Sequence, residues 1–241
     1  MSVARKLELK SGALTLAARH DLPAGAPPPR GPRAAIVCHP HPLYGGTQDN
    51  KVVQAVARAL REHGLHVLRF DFRGAGGSEG SHDEGRGELE DARAALDAVA
   101  DLAGLPQSGA ESQGALLAAG FSFGAWVALR AGLDDPRVGA LLAVAPPVNH
   151  YDFGAIARAD KPLAVIHAAG DELVPTALVE RFVASCARPP FAVGVSGAGH
   201  LFHARLAELR EVTGRYLDLL AGRDGNASPA SARVGSGPSP E

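Results

Sequence analysis

Gly120-Phe121-Ser122-Phe123-Gly124 lies between the apolar run Gly114-Ala115-Leu116-Leu117-Ala118-Ala119 and the segment Ala125-Trp126-Val127-Ala128-Leu129-Arg130. The run reads as a strand and the segment after it as a helix, so the pentapeptide is a strand-turn-helix corner. A corner this tight leaves no room for side chains two residues before and two residues after its apex, and glycine stands at both places. The apex serine is then held in a strained conformation, with its hydroxyl at the top of a sheet and a helix N-terminus beneath it. Such a corner is a nucleophile elbow.

The rest of the chain repeats the alternation. Residues 34–38 (Ala-Ala-Ile-Val-Cys) form an apolar run of the kind that is buried on both faces of a parallel sheet. Residues 49–63 follow with helical spacing through Val52, Val53, Val56, Ala57 and Leu60, and Gly64 stops them. Strands are predicted at 66–72, 114–120, 138–144, 163–167 and 191–195. Helices are predicted at 87–103, 123–132, 175–187 and 203–220. The rhythm implies an α/β fold, a mostly parallel twisted sheet with helices on both faces. Leu7-Glu8-Leu9-Lys10 and Leu14-Thr15-Leu16-Ala17-Ala18 alternate around Ser11-Gly12-Ala13, which predicts an antiparallel hairpin extending one edge. Residues 23–32, rich in Pro and Gly, form a surface connector. No segment between strands is long enough for a cap domain. Residues 1–221 are read as one domain, and 222–241, rich in Gly, Ser, Pro and Ala, as a disordered tail.

Composition narrows the class. With 241 residues, 46% hydrophobic and 21% charged, the chain can bury a substantial core. A net charge of −2 gives no reason to expect nucleic acid or an anionic membrane as partner. Neither a signal-peptide core nor a membrane-length apolar run is present in the sequence. The two cysteines, Cys38 and Cys186, fit a reducing compartment, so a cytoplasmic location is expected, as a monomer or homodimer.

A serine hydroxyl becomes a nucleophile only when a base takes its proton, and that base must be held in one tautomer by a third group. In an elbow-type sheet the acid and then the histidine follow the serine in sequence, each on a loop after a later strand. Asp171 lies just past the strand at 163–167, and His200 just past the strand at 191–195. Asp152, after the preceding strand, and the neighbouring Glu172 are the alternative acids. His203 is the alternative histidine, read as the start of the closing helix.

With these residues placed, the chain resembles the α/β-hydrolase superfamily over roughly residues 1–221. It is most similar to small, lidless serine hydrolases of the dienelactone-hydrolase-like and predicted-carboxylesterase kind. The motifs are His39-Pro40-His41-Pro42-Leu43-Tyr44-Gly45-Gly46, Arg73-Gly74-Ala75-Gly76-Gly77-Ser78 and the elbow. The resemblance implies Ser122 as nucleophile, His200 as general base and then acid, and Asp171 as its orienting carboxylate. Dienelactone hydrolases proper carry cysteine at the elbow, so the serine argues against that particular substrate. An oxyanion hole needs two backbone N–H groups. Phe123 supplies one; the loop after Cys38 supplies the other, with His41 first and Leu43 and Tyr44 next, because prolines 40 and 42 have no N–H. Leu43, Tyr44, Phe121, Phe123 and Pro146 are the candidate substrate-pocket residues.

Other features read as structural. His39 and His41 could point the same way toward a metal, but no third ligand accompanies them at a recognisable spacing. His39 is expected to brace its loop. Asp71 and Arg73 are expected to pair with each other across a Gly-rich turn. Gly74-Ala75-Gly76-Gly77-Ser78-Glu79 has glutamate where a dinucleotide loop needs its third glycine. The reading is a serine hydrolase acting on a carboxylic ester or related acyl bond of a small molecule, with no cofactor and no metal. The alternatives are a thioesterase, peptidase or acyltransferase on the same residues, or a non-catalytic binding protein on the same scaffold.

Overall fold

The structure is a computed structural model and describes residues 4–223. Eight strands form one sheet in the order β1-β2-β4-β3-β5-β6-β7-β8. The first two, β1 (Ala4–Ser11) and β2 (Leu14–Asp21), make the antiparallel hairpin at one edge. β2 pairs antiparallel with β4 (His66–Phe70). From there β3 (Ala34–Cys38), β5 (Leu116–Phe121), β6 (Val138–Val144), β7 (Leu163–Ala168) and β8 (Phe191–Val195) are all parallel. All their C-terminal ends therefore open onto one edge of the sheet, where loops can converge on a ligand.

Strand alternation divides the core in two. Ile36, Leu68, Leu116, Ala118, Leu141 and Val165 face one side. That side is covered by α2 (Arg86–Leu102), α3 (Phe123–Leu133), the short α4 (Gly154–Ala157) and α5 (Thr176–Ser185). Val37, Val67, Leu117, Ala119, Leu142 and Val144 face the other, covered by α1 (Lys51–Glu62) and α6 (Leu206–Leu220). Each central strand is apolar on both faces because each face is packed by a helix layer.

Where the elements differ from the sequence expectation, the backbone gives the reason. The closing helix begins at Leu206, and His203 stands outside it. Phe202 and Ala204 have φ of 52° and 60°, which a right-handed helix cannot include. β4 stops at Phe70: the Asp71 N–H still reaches Ala17 O beside it on β2, but the Phe72 N–H turns from the parallel ladder to the His39 ring. Asp71 and Arg73 do not pair with each other. Asp71 accepts from the backbone N–H and the side-chain amide of Gln48 at 2.7 and 2.9 Å, while Arg73 reaches the buried Asp91 at 2.8 Å. The loop between them and α2 is also tied to the edge hairpin: Thr15 N donates to Glu79 Oε2, Ala17 N to Ser78 Oγ, and Glu79 N to Thr15 O. Apart from Gly222 and Arg223, the expected tail lies outside the described residues. No helix among the described residues is long and apolar enough to cross a membrane.

Candidate active site

Ser122 sits between β5 and α3 with φ 54° and ψ −125°. A β-carbon at Gly120 would run into the carbonyl of Gly124, and one at Gly124 into the carbonyls of Cys38 and His39. The two glycines are thus required by backbone contacts within the elbow and between α3 and the loop after β3. The cost of the positive φ, on the order of 1–3 kcal/mol, is offset by that surrounding packing.

Three loops meet at the serine. The His200 ring, on the loop after β8, places Nε2 3.0 Å from Ser122 Oγ. Its Nδ1 lies 2.9 and 3.1 Å from the two carboxylate oxygens of Asp171, on the loop after β7. An ionised carboxylate only accepts, which assigns the proton to Nδ1 and leaves Nε2 to accept from the serine hydroxyl. Burial alone would raise the Asp171 carboxyl pKa, but hydrogen bonds from His200 and from the N–H groups of Val174 and Leu173 hold it below its ordinary value.

Glu172 does more than face solvent: its Oε2 accepts from the backbone N–H of His200 at 3.1 Å. Sequence offers no signal for this beyond the carboxylate's adjacency to Asp171. Asp152, the other alternative acid, accepts instead from Gly154 N at the start of α4. The Phe121 ring is fully buried with its centroid 5.2 Å from that of His200, so it backs the imidazole and does not line the cleft. Pro146 and Leu43 are likewise outside the lining, Leu43 being 70% exposed.

The cleft above Ser122 has a volume of about 590 Å³. Its walls include Tyr44, Phe123, Pro147, Tyr151, Leu173 and Val174, with His41 and His150 at the sides. Of these, Tyr151, His150, Pro147, Leu173 and Val174 carry no signal in the sequence. Two other depressions, about 800 Å³ beside Arg137 and about 650 Å³ beside Gln48, contain neither Ser122 nor His200.

The loop after β3 carries two histidines with different duties. His39 is fully buried; its Nε2 accepts from Phe72 N at 2.9 Å and its Nδ1 lies 2.6 Å from Pro40 O. Burial lowers its pKa to about 4, so the ring is neutral and braces the loop. His41 faces the cleft, its pKa lowered by burial and by the neighbouring His82. Of the three N–H groups considered for the oxyanion, Tyr44 N donates to His41 O and Leu43 N to His41 Nδ1. His41 N has no acceptor among the described residues. Phe123 N, the first N–H of α3, has no acceptor within its helix.

The sheet order, the elbow and the uncovered cleft define an α/β serine hydrolase without a lid. The family model described as serine aminopeptidase, S33, matches residues 32–158, and the chain belongs to that family. It is similar to the solved structure of an alpha-beta serine hydrolase homologue from Coxiella burnetii, at 37% identity and a TM-score of 0.79 over 90% of this chain and 98% of that one. A lidless α/β serine hydrolase from Xanthomonas campestris matches at 35% identity and a TM-score of 0.78, over 90% and 94% of the two chains. An uncharacterised protein of Rickettsia prowazekii is 37% identical over 191 residues, 76% of this chain and 77% of its own length.

Proposed function

We propose that the protein hydrolyses a carboxylic ester of a small molecule through an acyl-enzyme on Ser122. The observation that carries this reading is the unbroken chain from Asp171 through His200 Nδ1 and Nε2 to Ser122 Oγ, every link within 3.1 Å. As Oγ attacks the ester carbonyl, His200 Nε2 takes its proton, and Asp171 offsets the charge gained by the imidazole. The carbonyl oxygen becomes an oxyanion facing the N–H groups of Phe123 and His41, the first reinforced by the α3 dipole. The tetrahedral adduct breaks at the C–O bond of the leaving group, and His200 returns its proton to the departing alcohol. Water then attacks the acyl-serine with His200 again as base, releasing the acid and restoring Ser122.

The family's description raises the peptidase alternative. An aminopeptidase has to hold its substrate's α-ammonium group, and no Asp or Glu side chain is among the residues lining this cleft. That favours an ester over a peptide N-terminus. Cys38 and Cys186 are both free thiols, which fits action in the cytoplasm.

A fluorophosphonate probe, which mimics the tetrahedral adduct, tests the reading directly. It should label Ser122 in the folded protein, and His200→Ala should suppress the labelling. An unlabelled wild-type protein would favour the non-catalytic binding reading.

A further inference from the structure

We infer that the cleft is built for an uncharged ester carrying a flat aromatic ring, and that Tyr151 is the residue that selects the ring. The inference deepens the ester-hydrolase reading and rests on it for the word ester.

Aromatic rings line one part of the cleft, linked to each other through the buried ring of Phe123. Tyr44 lies 4.9 Å from His41, His41 4.9 Å from Phe123, and Phe123 5.6 Å from Tyr151, ring centroid to ring centroid. Tyr151 is held from behind. Its ring stacks on Trp126 at 4.8 Å and 29°, Trp126 Nε1–H donates to Asp152 O at 3.1 Å, and the Arg130 guanidinium lies over the Trp126 ring, 5.8 Å from its centroid. A ring fixed in this way gives a ligand contact area at little cost in side-chain entropy. Leu173 and Val174 add aliphatic surface to the lining. Leu173 is 57% exposed and Tyr44 87% exposed at the rim, so both stand where a ligand would cover them.

Charge points the same way. No Lys, Arg, Asp or Glu side chain is among the residues lining the cleft. The carboxylates nearby are already committed, Asp171 to the His200 ring, Glu172 to the His200 backbone and Glu88 to His82. An anionic acyl group entering here would lose water without gaining a cation, against a local excess of negative charge.

The test separates binding from turnover. Trp126 is the single tryptophan of the chain and touches Tyr151, so its fluorescence reports occupancy of that wall. In Ser122→Ala protein, methyl 3-phenylpropanoate, methyl 3-cyclohexylpropanoate and the monoanion of monomethyl adipate are titrated, and the same three esters are offered to the wild type. The phenyl ester should bind about 3- to 10-fold more tightly than the cyclohexyl ester, as an added aromatic pair gives. The anion should bind at least about tenfold more weakly than the phenyl ester. Adding Tyr151→Ala should remove the preference for the flat ring, whereas Tyr151→Phe should keep it. Equal binding of phenyl and cyclohexyl esters, an anion bound as tightly as the phenyl ester, or a ring preference that survives Tyr151→Ala overturns the inference. Binding with the expected preference but no wild-type turnover sinks hydrolysis and leaves the aromatic site standing; turnover with no ring preference does the reverse.

Discussion

Two histidine–carboxylate pairs stand at the same edge of the sheet, and only one has a serine. His200 and Asp171 come from the loops after β8 and β7, and His82 and Glu88 from the loop after β4 and the first turn of α2. Judged as pairs, the second is the tighter. His82 Nδ1 lies 2.7 Å from Glu88 Oε1, against 2.9 Å for His200 and Asp171, and the Glu88 carboxylate is fully buried. Both carboxylates also accept backbone N–H groups, from Leu173 and Val174 at Asp171 and from Asp83 and Gly85 at Glu88. The difference is on the far side of each ring. His200 Nε2 meets the hydroxyl of a strained serine at 3.0 Å, whereas the His82 ring packs against His41 at a 49° tilt, with the centroids 4.6 Å apart. An imidazole oriented by a carboxylate is a common structural part; what sets His200 apart is that its other nitrogen faces a hydroxyl, and the proposed chemistry rests on that difference.

That contrast can be broken by substitution. Ser122→Ala should lower kcat on ester substrates by about a millionfold with an unchanged circular-dichroism spectrum, and His200→Ala in the same protein should add nothing further. Asp171→Asn should cost about 10⁴-fold in kcat, because the amide can no longer fix the tautomer with its proton on Nδ1. Glu88→Gln, the matching change in the other pair, should leave the chemical step unaltered and lower thermal stability instead. A comparable kcat loss in Glu88→Gln would erase the distinction between the pairs.

His39 extends the comparison to a histidine with no carboxylate partner. Its folded pKa, about 4, lies below the ordinary value of 6.5, so the unfolded chain takes up the proton first as pH falls. Stability should therefore decline between about pH 6.5 and pH 4, by about 3 kcal/mol for this group alone, and the decline should level off below that. His39→Gln removes the dependence, so the stability gap between wild type and variant should narrow over that window in urea melts. A gap that stays constant with pH would exclude His39 as the source. The Asp171 carboxyl has the opposite relation to pH. Its contribution is fully present above the unfolded pKa of about 3.9 and is lost only as pH falls through its lower folded value.

Smaller effects sharpen the picture. Glu172→Ala should lower kcat about tenfold with KM little changed, since it frees the backbone that carries His200; Glu172→Gln, which can still accept from that N–H, should recover most of the loss. His82→Phe keeps a ring against His41 and should change kcat/KM by no more than about twofold.

The fold was legible because its signals are local. A corner that tolerates only glycine around Ser122, and apolar runs too short and too evenly spaced for anything but buried strands, depend on few long-range contacts. The order of Ser122, Asp171 and His200 was legible because each loop follows its own strand. What sequence did not reveal is where loop side chains turn. Glu172, Tyr151 and Leu173 acquire their positions when separate loops dock, and no periodicity records that. Phe121 was readable with more care: it continues the face of Leu117 and Ala119, which points into the core layer of α1 and α6 and away from the cleft. His203 read as helical because the left-handed turn at Phe202 and Ala204 uses residues that do not advertise it.

The ties between β2 and the segment 77–79 give the edge hairpin a reach beyond its own two strands. That segment leads directly to His82, and His82 leans on His41 beside the cleft. Trimming the first 21 residues would thus strip the backbone partners from a loop that shoulders one wall of the pocket, besides removing Leu9 and Leu16 from the core and Asp21 from the buried Arg69, so the cut would cost stability as well as ligand binding.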